Sequence, residues 1–395
     1  MYCKELERQA RTTYLTNMKK EIIYLDNAAT TMLDPEVVKV MTTALQHEYG
    51  NPSSIHTIGR RSKAKIELVR KQIARRLNAK PGEIVFTSGG TESNNLALRS
   101  AVQKRGVKTI VTSPIEHPSV LKTISDLVAS NDLELCFLKV DSQGVIDLVE
   151  LEALLASKEG VLVSLMHGNN EIGNLLPLKK VGQLCLQHQA VFHTDTVQTM
   201  GHYSYDLTDL HLDYLVCSAH KIHGPKGVGF LYIRESSWVF PVLTGGKQER
   251  GWRAGTENIA GILGMGKALE IANENIDQHE TYILSLKNYF IGELKNRLPQ
   301  LEFNGTIEGN SMSTVLSVAL PETIKAEMLL FQLDLKGIMV SGGSACSSGS
   351  LQGSAVIQAI KGDDSGLNLR FSFSRFNTKE ELDEVVLVLA ELLKI

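Results

Sequence analysis

In the stretch SAHKIHGPKGVG, residues 218–229, a lysine directly follows a histidine where one apolar run, LDYLVCS, ends and before a second, GVGFLYIR, begins. Lys221 therefore stands at the mouth of a buried strand, on a connection shaped by Gly224, Pro225, Gly227 and Gly229. An ammonium there is costly unless it is paired or its amine is used as a nucleophile. Asp195, in AVFHTDTVQ, sits just past another apolar run. A carboxylate so placed can cap a turn, or it can pair with a protonated ring nitrogen. His117, in SPIEHPSV, follows a third run. Its flat ring can stack on a planar group, although a lone histidine serves equally as a structural residue. FTSGGTESNNLALRSAV is a strand, a glycine turn and a helix expected to open at Thr91 or Glu92, whose free N–H groups suit a phosphate. A plain strand-to-helix turn would carry the same residues. No G-K-[ST] follows these glycines, Lys226 is followed by glycine, and no G-x-G-x-x-G joins an early strand to a helix. Neither a Walker loop nor a dinucleotide fingerprint is therefore present. His220 and His223 lack a third ligand at motif spacing, which sets a metal aside.

The elements that must position these groups alternate along the chain. Helical periodicity marks SKAKIELVRKQIARRLNA, while EIVFTSG, KTIVTSP, GVLVSLMHG, AVFHTDTVQ and the two runs around Lys221 are short and apolar. From about Glu36 to about Ala272 this pattern predicts an α/β unit with a mostly parallel sheet covered on both faces. Ligands then bind beyond the carboxyl ends of the strands, in loops such as TSGGTES, SPIEHPS, HGNNEIG, HTDTVQT and SAHK. From about Asn273 a long amphipathic helix, HETYILSLKNYFIGELKNRL, opens a second unit. In it LNLRFSFS alternates as a strand, and Arg370 on that strand needs a partner: a substrate α-carboxylate gripped by two parallel hydrogen bonds, or an internal salt bridge.

Length and composition agree with two units. A chain of 395 residues exceeds one small core, and 43% hydrophobic with 22% charged residues is ordinary for a globular protein. A net charge of −3 gives no reason to expect nucleic acid or an anionic membrane as partner. No apolar run approaches a membrane span and no signal peptide precedes residue 22, so a cytoplasmic location is expected. Residues 1–17 are polar, precede a second methionine at Met18, and are expected to be a poorly ordered extension.

Together, a phosphate cradle, a carboxylate for a ring nitrogen, a stacking histidine and a lysine at a strand mouth are what pyridoxal phosphate requires. Five cysteines without a CxxC pair indicate a reducing compartment. Cys136 in LELCFLKV and Cys185 in VGQLCLQHQA read as small core residues on a strand and a helix. Cys217 ends the strand before Lys221 and reads as packed, and Cys3 lies in the extension. Cys346, in SGGSACSSGS, has neighbours that bury nothing and is the candidate nucleophile, with a helix, SAVIQAI, beginning shortly after it.

YLDNAATT, GNPSSIH, TSGGTESNNLA, HGNNEIG, SAHKIHGPKGVG, QERGWRAGTEN and GGSACSS resemble, in order, the motifs of the cysteine desulfurases of the NifS/IscS type, from about Ile22 to near the C-terminus. The resemblance implies a fold-type I pyridoxal-phosphate transferase, α/β in class, with a large domain over a mostly parallel seven-stranded sheet and a smaller α+β domain. Residues 32–272 would form the large domain, and 18–31 with 273–395 the small one carrying the cysteine loop. It further implies that Lys221 is the Schiff-base lysine and that His117 stacks on the ring and assists as acid and base. Asp195 would meet the ring nitrogen and Gln198 the ring hydroxyl. Gly90, Thr91, Ser218 and His220 would hold the phosphate, with Thr256 of a second subunit. Asn170 and Arg370 would bind substrate, Asn170 also lying beside the cofactor. Cys346 would take the sulfur of L-cysteine as a persulfide, leaving L-alanine. A homodimer and a sulfur-acceptor protein, such as an iron–sulfur scaffold, are the implied partners. Selenocysteine lyase, another amino-acid lyase or aminotransferase, and a non-catalytic sulfur carrier are the alternatives. Lys221 with the full cofactor set speaks against the carrier. The chain departs from the family at Lys247, where a third glycine is usual, and at Thr196, where alanine is frequent. It also ends at LAELLKI, short of the tail some members use to dock a scaffold.

Overall fold

The structure, a computed structural model of the chain, describes residues 22–321, 326–342, 354–362 and 367–393. After the short strand β1 (Ile23–Tyr24), helices α1 (Pro35–His47) and α2 (Thr57–Arg76) lead into β2 (Ile84–Thr87) and α3 (Gly90–Lys104). There follow β3 (Thr109–Thr112), α4 (Pro118–Ser130), β4 (Glu134–Phe137), α5 (Leu148–Ser157), β5 (Val161–Ser164) and α6 (Leu178–Gln187). Strands β6 (Val191–Asp195), β7 (Tyr214–Ser218) and β8 (Gly229–Ile233) complete one seven-stranded sheet, in the order β2-β8-β7-β6-β5-β3-β4. Pairs β3–β4, β3–β5, β5–β6 and β6–β7 are parallel, and only β8 runs against its neighbours β2 and β7. The reason is local. The connection from β7 to β8 contains no crossover helix, and adjacent strands joined that tightly must reverse direction.

Strands β2, β3, β5, β6, β7 and β8 are buried along their whole length, as a sheet covered by helices on both faces requires. One face packs Ile66, Val69 and Ile73 of α2 against Phe86, Val163, Phe192 and Phe230. The other packs Leu96 and Ala97 of α3 and Val120 of α4 against Ile110, Leu162 and Val216. Strand β4, one of the sheet's two edges, is only partly covered, and Cys136 on it is half-buried at the margin of the core. Cys185 and Cys217 are buried as expected.

Helices α7 (Ile259–Glu274) and α8 (Ile276–Arg297) meet at Asn275, and a second core begins there. It is built from α8, β9 (Glu302–Asn304), β10 (Val315–Leu320), α9 (Ala326–Leu335), β11 (Ile338–Met339), α10 (Ala355–Lys361), β12 (Leu367–Ser372) and α11 (Lys379–Leu392). Strands β12, β10 and β9 form an antiparallel sheet in that order, while β1 pairs with β11 in parallel. Phe290 and Leu294 of α8 pack on Val318, Phe371, Phe373, Leu382 and Val386, joined by Ile23 and Leu25 from the start of the described chain. Residues 26–31 then return to the large sheet, where Thr31 N–H bonds the carbonyl of His220. Among the described residues no helix is long and apolar enough to cross a membrane.

Candidate active site

The carboxyl ends of β2, β3, β5, β6 and β7 open into one cavity. Its walls hold Gly90 and Thr91 after β2, His117 after β3, Asn170 after β5, Asp195 and Gln198 at β6, and Ser218, His220 and Lys221 after β7. Arg370 of β12 closes it from the second unit, and Ala28 and Ala29 form a further wall. Thr256 is exposed and is not part of this cavity. Cys346 lies outside the described residues.

Lys221 sits on a single 3-10 turn, Ala219–Lys221, directly after β7. Its Nζ donates to the carbonyls of Ala28 and Ala29, the latter at 2.8 Å. Close packing shapes this turn: a side chain at Gly229 would meet the Cys217 carbonyl at 2.3 Å. His220 Nδ1 lies 3.2 Å from Thr30 Oγ1, and burial, with help from Lys221 and Lys226, lowers its pKa to about 4. His220 is therefore neutral at pH 7.

Helix α3 begins at Gly90, one residue ahead of the expected opening, because Gly89 at φ 147° turns the strand sharply into the helix. No side chain caps it. The cradle is tight, since a Cβ at Gly90 would come within 2.8 Å of Val197 Cγ2. The Glu92 carboxylate is shared between Arg253, at 2.8 Å, and the Ser88 N–H ahead of the helix, at 2.8 Å. The loop that brings Arg253 there is anchored by Glu249. This residue has a left-handed backbone, φ 44°, and its buried carboxylate is gripped by Arg70 Nη2 at 2.6 Å and the Phe86 N–H at 2.9 Å.

Asp195 caps its turn, one of the two readings the sequence left open, and it also lines the cavity. Oδ1 accepts from the Val197 N–H at 2.9 Å, capping the turn after β6, while the buried carboxylate also faces the cavity. Oδ2 accepts from Asn94 Nδ2 at 2.7 Å. Asn94 was not singled out in the sequence, and only the helical phase of NNLA, which turns it under the sheet ends, could have pointed to it. Gln198 lines the cavity and donates Nε2–H to the Ala28 carbonyl at 2.9 Å. Of its two alternatives Arg370 makes the internal salt bridge: Nη2 pairs with Asp26 Oδ1 at 2.9 Å, and Nη1 donates to the Asn170 carbonyl at 2.9 Å. Its Nε is buried without a partner, and the side chain still forms part of the cavity wall.

Glu116 is a further residue missed in the sequence. Its Oε1 accepts from Met166 N–H at 2.8 Å and Ser113 Oγ at 3.1 Å, while Oε2 is buried and unpaired. Burial, with Asp195 adding to it, pushes its pKa up to about 8. The described flanks of the segment around Cys346 are tied to Arg370 of the cavity wall and to Glu171 beside Asn170. Ser341 is bridged to Arg370, whose N–H donates to the Ser341 carbonyl at 2.7 Å, and Ser354 Oγ donates to Glu171, next to Asn170. No group of three metal-ligating side chains occurs among the described residues.

A seven-stranded α/β sheet with its functional groups gathered at the strand ends defines a class of cofactor-dependent transferases. Residues 23–385 match the aminotransferase class-V family, and the chain belongs to it. It is 42% identical over 382 residues to the cysteine desulfurase IscS of Dictyoglomus turgidum, covering 95% of each chain. It is 41% identical to the cysteine desulfurase IscS of Methanosarcina thermophila, covering 95% of this chain and 93% of the relative. Among solved structures, a NifS-like protein superposes with a TM-score of 0.87 at 35% identity, covering 94% of this chain and 99% of the other. The structure of SspA in complex with cysteine superposes at 0.76 with 29% identity, covering 90% of this chain and all of the other.

Proposed function

We propose that this chain is a pyridoxal-phosphate-dependent cysteine desulfurase that works as a homodimer in the cytoplasm and passes sulfur to an acceptor protein. The observation that carries this reading is the convergence of Lys221, Asp195, His117 and the uncapped start of α3 on one cavity closed by Arg370. The donor set fits the cofactor. A helix N-terminus without a side-chain cap suits its phosphate, joined by Ser218 and Thr91, and a buried carboxylate suits its ring nitrogen. Arg370, in the cavity wall, supplies the positive charge that suits a substrate carboxylate. When bound, pyridoxal phosphate supplies an electron sink that allows bonds at an amino acid's α-carbon to break.

The chain's own groups take up the rest. Lys221 Nζ, steered by the Ala28 and Ala29 carbonyls, is the amine that tethers the cofactor and, once free, takes the proton from the substrate's α-carbon. Asp195 would hold the cofactor by its ring nitrogen, Gln198 by its ring hydroxyl, and His117 by its ring face. Asn170 and Arg370 orient the substrate, Arg370 through its carboxylate. Cys346 Sγ is the sulfur acceptor: as thiolate it forms the S–S bond while the substrate's C–S bond breaks, the electron pair of that bond staying on the substrate's β-carbon, which takes up a proton to give alanine beside an enzyme persulfide. Thr256 is exposed and outside its own chain's cavity, so its role at the phosphate calls for a second copy of the chain.

The deciding experiment incubates purified protein carrying the cofactor with L-cysteine and a thiol reductant, which releases the persulfide sulfur as sulfide, and quantifies alanine and sulfide together, with a reductant-free sample kept for mass spectrometry. The same assay follows Cys346→Ser. Stoichiometric alanine and sulfide from the parent, with extra sulfur by mass spectrometry on the peptide holding Cys346, and neither product from the variant, is the expected result. Alanine from Cys346→Ser at the parent rate would overturn the mechanism.

A further inference from the structure

A polar network runs from behind the cavity into its wall, where Asn94 and Ser119 join Asp195 and His117, and its hydrogen bonds admit one polarity. It begins at His193, fully buried, whose pKa burial lowers to about 4, so that it is neutral with one donor and one acceptor nitrogen. Its Nε2 lies 3.1 Å from Asn94 Oδ1, and its Nδ1 lies 2.9 Å from Ser164 Oγ. Asn94 cannot be turned over, because the Asp195 carboxylate, which only accepts, faces the other end of the amide at 2.7 Å. Asn94 Oδ1 therefore accepts, His193 Nε2 donates, and Ser164 donates to His193 Nδ1. The second N–H of the Asn94 amide goes to Ser119 Oγ at 2.9 Å. Accepting from Asn94 leaves the Ser119 hydroxyl its own proton, and since the Ser119 backbone N–H already requires an acceptor at His117 Nδ1, that proton goes to the same nitrogen, 2.7 Å away. The Ser119 backbone N–H reaches the same nitrogen at 3.1 Å, since His117 is the N-cap of α4. Two donors meet His117 Nδ1, which must present its lone pair.

We propose that Asn94 and Ser119 are positioning residues that hold His117 neutral, with its one proton on Nε2, so that His117 meets the bound ligands as a hydrogen-bond donor and not as a base. Nε2 has no protein partner among the described residues, and the side chain lines the cavity. Forming the imidazolium would put a proton on Nδ1 against both donors, and this cost adds to desolvation. The charged and titratable groups around the ring act unequally. Burial lowers its pKa, Asp195 opposes that, and Lys221 reinforces it. Glu116, its neighbour in sequence, is held protonated near neutral pH and adds little charge. The acid–base duty expected of His117 from the family resemblance then becomes the donation of a hydrogen bond. Full proton traffic is left to Lys221 Nζ.

The assignment rests on the proposed function only in taking this cavity as the reacting site. The tautomer belongs to the cofactor-free chain and is measured there. Long-range proton–nitrogen NMR on protein with 15N-labelled histidine, assigned by His117→Gln, should show a pyridine-like Nδ1 and a pyrrole-like Nε2 from pH 6 to 8. Asn94→Asp places an acceptor where the donor was, draws the Ser119 hydroxyl toward itself and frees Nδ1 for a proton. The His117 protonation midpoint should rise by at least about one pH unit. Ser119→Ala, which removes one of the two donors and is the milder change, should raise it by less. A wild-type His117 protonated on Nδ1, or already cationic at pH 7, would overturn the proposal. So would midpoints unmoved in both variants. Loss of desulfurase activity with the expected NMR pattern intact would count against the proposed function and leave this inference standing.

Discussion

Exchanging the partners of the Asp195–Asn94 hydrogen bond separates its structural from its chemical contribution. Asp195→Asn alone keeps the bond from the Val197 N–H but turns an amide N–H toward Asn94 Nδ2, 2.7 Å from the present carboxylate oxygen. The clash is relieved only if Asn94 flips, and then His193 loses its acceptor and Ser119 its donor. At least one buried donor is left unpaired whichever way the network settles, a cost of about 1–3 kcal/mol. Asn94→Asp alone sets two carboxylates in contact, which forces one to take a proton, and costs on the same order. The double exchange restores a donor facing an acceptor, with the new carboxylate accepting from His193 Nε2 and from the Ser119 hydroxyl. Urea unfolding of all four cofactor-free proteins should therefore give a coupling energy of roughly 1–3 kcal/mol in favour of the pair, inside the range for residues sharing one network. The double variant should nonetheless stay inactive, because the carboxylate no longer stands at residue 195. Additive stability losses, within about 0.5 kcal/mol, would refute the network as described.

The carboxyl of Glu116 is pushed up to about 8 in the folded chain, against about 4.3 when unfolded. Between these values the folded state holds a proton that the unfolded state has lost, so stability falls as pH rises through this window. Glu116→Gln cannot ionise and should lose that slope in melting temperatures taken from pH 5 to 8; parallel curves for the two proteins would contradict a protonated Glu116. Lys221→Ala should lose the visible absorption of the bound cofactor, and borohydride should no longer fix cofactor mass to the peptide holding residue 221; fixation elsewhere in the cavity would move the amine to another lysine. Arg370→Ala removes a charge-assisted grip worth about 1.5–3 kcal/mol, and should raise KM for L-cysteine roughly tenfold or more while leaving the resting spectrum in place. An unchanged KM would assign Arg370 wholly to its bond with Asp26.

The chemistry-bearing positions were legible in the sequence wherever a short apolar run breaks into a loop. Lys221 after LDYLVCS, Asp195 after AVFHT, His117 after KTIVTSP and the glycines after EIVFTS are each marked by their nearest neighbours, and all four loops open on one cavity. The reversal of β8 follows equally from a short connection without a crossover helix. Cys136 shows the limit of such reading. Its apolar strand looks like a core strand, yet whether β4 is central or at the edge depends on which strands stack beside it.

Partner choice across long separations was decided only by the tertiary structure. Asn94 meets Asp195 across 101 residues, and Arg370 meets Asp26 across 344, so no local pattern distinguishes a substrate-binding arginine from a paired one or this asparagine from its neighbour Asn95. The orientation of an amide, the tautomer of a histidine and the protonation of a buried carboxyl are set by what packing brings within about 3 Å, where exclusion of water makes an unmatched donor costly. A residue's type is written in the chain, but the direction of its hydrogen bond is fixed by partners that arrive from elsewhere in the fold.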